Sequence, residues 1–379
     1  LVVMDTHFRY LVFFIVMLSL YDVSGGDVMC ELPLDVEDTP LDFSACTHVV
    51  YTPVSHPEAD SGRNDSDAQT GNSSTSSPTR ESLFSRVQKL KSRYPEMLVL
   101  VQLVLNKSGL ETDFNSDFQK MKPYFRNLDG IVLECYGLHE KKVSKRIKKL
   151  GRYSQTKGKL LFILPRHETE YLTRKRPGYY YRINSTIDGV IIKSDRVTFS
   201  PSERIIRGVE SMTGMGGSSV SLIEQIRLWI KRGFDVNRLV IRIPLEHPSN
   251  LLYWTQTPHF GGEFDAVSTV HPCAPLPNLK WETLEAEAVS HAQNESCFLV
   301  MNNHDGVFMK AREMKRLGLK GVILPIAVDD GSAHSGCVEK IQNLTLAAQR
   351  GLNTHNFTSP YHPGRIEALR SLIEEIDFM

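Results

Sequence analysis

The chain has 379 residues, 44 Lys+Arg against 44 Asp+Glu, and 41% hydrophobic residues. That length holds one large domain or two medium ones of ordinary globular composition. The absence of net charge gives no reason to expect nucleic acid or an anionic membrane as a partner.

The first 25 residues read as a secretory signal. Met4 reads as the start. His7 and Arg9 precede an apolar run from Tyr10 to Leu20, followed by the small residues Ser24, Gly25 and Gly26. The run is too short to span a bilayer comfortably, and no later run is long enough for an anchor. The expectation is a secreted, extracellular chain over 26–379, cleaved near Gly25 or Gly26.

Six cysteines follow, at 30, 46, 135, 273, 297 and 337. In a secreted chain some should pair, with many connectivities open. Asn-x-Ser/Thr sequons stand at Asn64, Asn72, Asn106, Asn184, Asn294, Asn343 and Asn356. Each needs a surface position to carry a glycan.

Strand candidates open the chain at Asp27 to Leu32 and Cys46 to Tyr51. Residues 56–79 are rich in Ser, Asn, Asp, Gly, Pro and Thr. They cannot bury enough surface to offset their ordering entropy and read as a rim loop. Helices and strands then alternate. Helices are expected over 82–93, 114–125, 138–155, 168–180, 218–232 and 305–317, with a final one over 364–376. Strands are expected over 97–105, 130–135, 159–164, 187–192, 238–243 and 321–326. This alternation means parallel βαβ units, and eight strands suit a closed (β/α)8 barrel of about 250 residues plus insertions. The basic run from Lys141 to Lys149 admits a nucleic-acid or heparin reading, but its spacing suits the solvated face of a helix, which is the preferred reading. Residues 244–300 interrupt the alternation. Trp254, Phe260, Phe264 and Trp281 lie there and can pack a core or line a wall.

Several stretches resemble glycoside hydrolase family 18, the chitinases and chitinase-like lectins. Leu128-Asp129-Gly130-Ile131-Val132-Leu133-Glu134-Cys135-Tyr136 resembles the fourth strand, which in the family runs Asp-Gly-x-Asp-x-Asp-x-Glu. Cys46-Thr47-His48-Val49-Val50-Tyr51 resembles the second strand, and Arg238 to Pro244 the seventh. Ala311 to Val322 and Asp329-Asp330 with Gly336-Cys337 resemble the approach to strand eight and the family's ending. The resemblance implies a TIM barrel with a small α+β insertion after strand seven. It also implies disulfides Cys30–Cys46 and Cys273–Cys337. His48 reads as a structural histidine hydrogen-bonded in the barrel floor, in preference to a catalytic one.

The departures fall where chemistry would sit. Val132 and Glu134 stand at the inner Asp positions and Tyr136 at the proton donor. Asp195 stands at the tyrosine that holds the N-acetyl group, and Leu324 at the tryptophan that floors the sugar site. Residues 132, 134 and 136 alternate onto one strand face, with Glu134 roughly 6–7 Å deeper than Tyr136. A phenol with a pKa of about 10 is a poor general acid. The resulting expectation is a catalytically inactive chitinase-like protein. It would bind chitin or N-acetylglucosamine oligomers, through Tyr136, Asp195 or Trp254, or an extracellular protein. The alternative is a divergent glycosidase using Glu134, Asp195 or Glu246. No cofactor is expected, and the scattered histidines 167, 247, 271, 304 and 334 lack metal-ligand spacing.

Overall fold

A computed structural model gives the fold. It describes residues 25–34, 41–52, 80–105, 122, 126–136, 138, 141–166, 180–193, 204, 206, 211–212, 221–245, 251–270, 279–285, 288–326 and 335–354. The segment read as a signal, the loop expected over 56–79, and the helices expected over 114–125, 168–180 and 364–376 fall wholly or almost wholly outside these residues.

Eight parallel strands close a barrel. They are β1 (Asp27–Pro33), β2 (His48–Thr52), β3 (Leu98–Leu105), β4 (Gly130–Tyr136), β5 (Leu160–Arg166), β6 (Gly189–Lys193), β7 (Leu239–Arg242) and, after an insertion, β13 (Gly321–Pro325). Each pairs with its neighbour in sequence order, and β13 returns to β1 with Met29 opposite Ile323. The strands are apolar almost throughout because both faces are covered. Met29, Val50, Val132, Phe162, Ile191 and Val240 fill the interior. Their sequence neighbours, such as Cys30, Val49, Ile131 and Leu133, belong to the outer cluster that also holds helical side chains.

The helices follow their periodicity. Described ones are α1 (Arg80–Arg93), α2 (Lys141–Thr156), the short α3 (Tyr181–Asn184), α4 (Leu222–Lys231), α5 (His304–Arg316) and α6 (Ser335–Leu352). In α2, Val143, Ile147 and Leu150 recur at helical spacing and are buried. A capping box starts α4: Ser221 Oγ accepts from Glu224 N–H, and Glu224 Oε2 accepts from Ser221 N–H, each at 3.1 Å. Helix α6 was not among the elements expected from the sequence, although Ile341, Leu344, Ala348 and Leu352 are buried at helical spacing.

Two Asp-Gly pairs start strands in the same way. Asp129 Oδ2 accepts from Val99 N–H at 2.8 Å, and Asp188 Oδ2 accepts from Leu161 N–H at 2.7 Å. Each carboxylate thus ties its strand to the preceding one at the barrel floor. The glycines that follow sit too close for a side chain. A Cβ on Gly130 would lie 2.4 Å from Leu160 O, and one on Gly189 2.7 Å from the Phe162 ring.

The interruption after β7 is a five-stranded antiparallel sheet, order β10-β11-β12-β8-β9. Its strands are β8 (Leu251–Trp254), β9 (Ala266–Thr269), β10 (Lys280–Leu284), β11 (Val289–Gln293) and β12 (Cys297–Val300). Tyr253, Phe264, Phe298 and Val300 pack one face, with Phe260 against them.

Cys30 and Cys46 form a disulfide that joins β1 to the start of β2. Cys337 is also disulfide-bonded. Its expected partner Cys273 lies outside the described residues. Cys135, buried in β4, and Cys297 are reduced thiols. One sequon expectation is corrected: Asn184 is 2% exposed. Its Nδ2 donates to Asp235 Oδ2 at 2.6 Å, so the amide nitrogen that a glycan would need is inside a hydrogen bond. Asn294 and Asn343 are exposed.

Candidate functional site

The C-terminal ends of parallel barrel strands are where such barrels carry their chemistry. Near those ends the interior changes from apolar to charged. One layer above Val132, Glu134 is 1% exposed. Gln102 Nε2, from β3, donates to Glu134 Oε2 at 2.7 Å. Lys193 Nζ, from the last residue of β6, lies 3.7 Å from Glu134 Oε1. The second pair is on the other side of the barrel: Arg242 Nε, from the end of β7, donates to Glu31 Oε2 of β1 at 2.8 Å.

The two pairs share a layout. Glu134 reaches Lys193 past the intervening β5, and Glu31 reaches Arg242 past β13. Among the described residues, two carboxylates and two cations therefore stand in one interior zone. Burying a charge is costly unless it is paired and hydrogen-bonded, which explains why these acids and bases occur together. Both oxygens of Glu134 face donors of the barrel wall.

His48 sits at the opposite end. Thr47 Oγ1 donates to Val28 O at 3.0 Å and contacts His48 Nδ1 at 2.8 Å. Since the hydroxyl proton goes to Val28, Nδ1–H is the donor to Thr47. The ring meets Phe162 edge-on. Burial, aided by Lys320, holds His48 below its ordinary pKa, against the opposing pull of Asp27 and Asp129. It is a structural residue of the floor, as expected.

The remaining expected positions divide as follows. Val132 is interior and buried. Tyr136 ends β4 opposite Arg166, with its side chain outside the described residues, as are Asp195 and Glu246. Leu324 requires a correction. It belongs to the outer, helix-facing cluster, because its neighbour Ile323 takes the interior position and strand side chains alternate. The inward residue nearest the rim on β13 is Pro325. Trp254 and Trp281 are 40% and 39% exposed. The register through Cys297, Leu299 and Ala292 puts both on one face of the insertion sheet. Phe260 and Phe264 instead pack its other face.

Glu31 and Arg242 were not singled out from the sequence. Their signal is a lone charge in an apolar strand, two residues after an interior position: Met29 then Glu31, Val240 then Arg242. Among the described residues no three His, Cys, Asp or Glu side chains cluster as metal ligands. No described helix is long and apolar enough to cross a membrane.

No family model matches the sequence, and no curated protein matches it. Solved structures do match. The chain aligns with catalytic domain 2 of a Group II chitinase from Ostrinia furnacalis at TM-score 0.64 and 13% identity, covering 88% of this chain and 98% of that one. It aligns with human YKL-39, a pseudo-chitinase with retained chitooligosaccharide binding, at TM-score 0.62 and 14% identity, covering 87% and 100%. Against the multi-modular chitinase ChiW from Paenibacillus the TM-score is 0.64 at 16% identity, and the chain spans 43% of that protein's length. The chain therefore has the barrel fold shared by chitinases and a pseudo-chitinase, the fold implied by its resemblance to family 18.

Proposed function

We propose that this chain is a secreted chitinase-like protein that does not hydrolyse chitin and acts by binding, with chito-oligosaccharide as the ligand. The observation that carries the reading is the commitment of Glu134. Glycoside hydrolysis of this kind needs a carboxylic acid that presents its proton to the leaving oxygen. Glu134 is the acid that β4 retains on the interior face, and it is buried with Gln102 and Lys193 on its two oxygens. At the rim position of the same strand the sequence has Tyr136, a phenol. Losing a general acid costs a factor of about 10² to 10⁴ in rate.

Trp254 and Trp281 support the binding side of the reading. Two half-exposed indoles on one sheet face suit stacking against sugar rings, since each offers an apolar face and a polar edge. The binding of chitooligosaccharide by YKL-39, which has the same fold, supports the same ligand class. The disulfides at Cys30–Cys46 and Cys337 suit an oxidising, extracellular setting.

The test is a pair of measurements on the secreted chain. Turnover of a fluorogenic chitotrioside should stay at the no-enzyme rate. Retention on chitin, competed by chito-oligosaccharide, should be weakened by Trp254→Ala with Trp281→Ala. Turnover that Glu134→Gln abolishes would establish the divergent glycosidase instead. No turnover and no retention would leave an extracellular protein as the partner class.

A further inference from the structure

A charged surface stands on the outer side of the barrel, on the helix that follows β4. Residues 141–159 hold nine Lys and Arg and no Asp or Glu, in a chain with no net charge. Helix α2 spans most of this segment and lays Val143, Ile147 and Leu150 against the barrel. That turns Lys141, Lys142, Lys145, Lys149 and Arg152 to solvent. No carboxylate among the described residues forms an ion pair with Lys141, Lys142, Lys145 or Arg152.

The arrangement works against the helix itself. Like charges recur four residues apart at 141/145, 142/146, 145/149 and 148/152, a spacing at which each pair destabilises a helix. Lys141 and Lys142 occupy the first turn, which has no acid, at the positive end of the helix dipole. Burial, and then the neighbouring Arg182 and Arg152, pull the Lys148 ammonium below its ordinary pKa. A face serving only solubility and stability would intersperse both signs. The repulsion is relieved by a polyanion lying along the helix, whose 16 residues extend over about 24 Å.

We propose that the solvent face of α2 docks a sulfated polysaccharide. The disulfide between Cys30 and Cys46 suits an oxidising compartment, where sulfated glycans, not nucleic acids, are the abundant polyanions. The face also lacks the exposed aromatics on which single-stranded bases stack. The only aromatic of α2, Tyr153, is half-buried.

The test uses the full chain on immobilised heparin at about 0.15 M salt. Retention is expected, with affinity falling steeply as salt rises. Lys141→Gln, Lys142→Gln, Lys145→Gln and Arg152→Gln together should weaken binding at least about tenfold and flatten the salt dependence. A control with Arg126→Gln, Lys231→Gln, Lys280→Gln and Arg350→Gln should leave most of the affinity. The four-site α2 variant should melt no lower than the parent, since it removes like-charge pairs. Absence of retention, an equal loss in the control, or a lowered melting point would overturn the proposal. Displacement by duplex DNA at lower charge concentration than by soluble heparin would overturn it in favour of nucleic acid.

Discussion

Gln102 and Glu134 face each other across adjacent barrel strands, with the amide Nε2–H donating to the carboxylate at 2.7 Å. The contact joins β3 to β4 at the depth where the interior turns polar. Removing the carboxylate leaves a buried amide with a lost acceptor and Lys193 without its counter-charge. An unsatisfied buried polar group costs about 1–3 kcal/mol. Glu134→Ala should therefore lower unfolding stability by about that amount, measured by urea denaturation. Glu134→Gln, which keeps an acceptor oxygen, should lose less. Equal stability of all three proteins would show that the contact carries no weight in the fold.

The Glu31–Arg242 pair permits a sharper test because both side chains are nearly buried. Breaking one partner of such a pair costs about 3–5 kcal/mol, whereas replacing both with apolar groups of similar volume is often close to neutral. Glu31→Leu and Arg242→Met should each destabilise. The double variant should fall short of the sum of the two by about 1–3 kcal/mol. Strict additivity in a denaturant cycle would mean that the two charges do not depend on each other.

The barrel could be read from the sequence because its strands are apolar on both faces and most are followed by a helical period. Asp129-Gly130 and Cys46-Thr47-His48 also kept their structural duties: a carboxylate tie to β3, a disulfide, and a buried imidazole at the floor. The polar zone was less legible. Glu134 was placed inward by alternation, but its partners come from β3 and β6, 32 and 59 residues away, and no local pattern links them. Leu324 was misplaced because a motif alignment was read one residue off the strand alternation. A one-residue slip sends a side chain to the opposite face of the sheet. Helix α6 was not among the expected helices, although Ile341, Leu344, Ala348 and Leu352 recur in it at helical spacing and are buried.

Glycan occupancy should divide according to burial. Asn184 donates its amide N–H to Asp235 Oδ2 and lies inside the packing of α3. Asn294 sits in the exposed turn between β11 and β12, where its Oδ1 accepts from Cys297 N–H at 2.9 Å. Asn343 lies on an exposed position of α6. Peptide mapping of the chain passed through the secretory pathway of eukaryotic cells should find glycan at Asn294 or Asn343 and none at Asn184. Modification of Asn184 in the folded protein would contradict the packing around α3.

Closing the Cys30–Cys46 loop, 16 residues apart in sequence, restricts the unfolded chain. For a loop near that length the entropic contribution is about 3 kcal/mol. Cys30→Ser with Cys46→Ser should lower stability by roughly that amount while leaving the barrel formed. Circular dichroism with a urea titration measures both. A loss well below 1 kcal/mol would mean that the reduced chain already holds β1 beside β2 when unfolded.

Two buried imidazoles contribute to the pH response near neutrality. Burial lowers the pKa of His48 in the floor and of His291 in the insertion sheet, where Glu282 opposes the shift. Both folded values therefore lie below the ordinary value of 6.5. As pH falls past 6.5, the unfolded chain takes up protons first, so unfolding becomes progressively easier. Stability from these groups is complete above the unfolded value and is lost as pH drops toward the folded ones. Urea midpoints should fall between about pH 7.5 and pH 5.5, a window in which ordinary carboxylates scarcely titrate. His48→Asn combined with His291→Phe should make that decline shallower, even if it lowers stability at every pH. An unchanged slope in the double variant would assign the proton uptake to other groups.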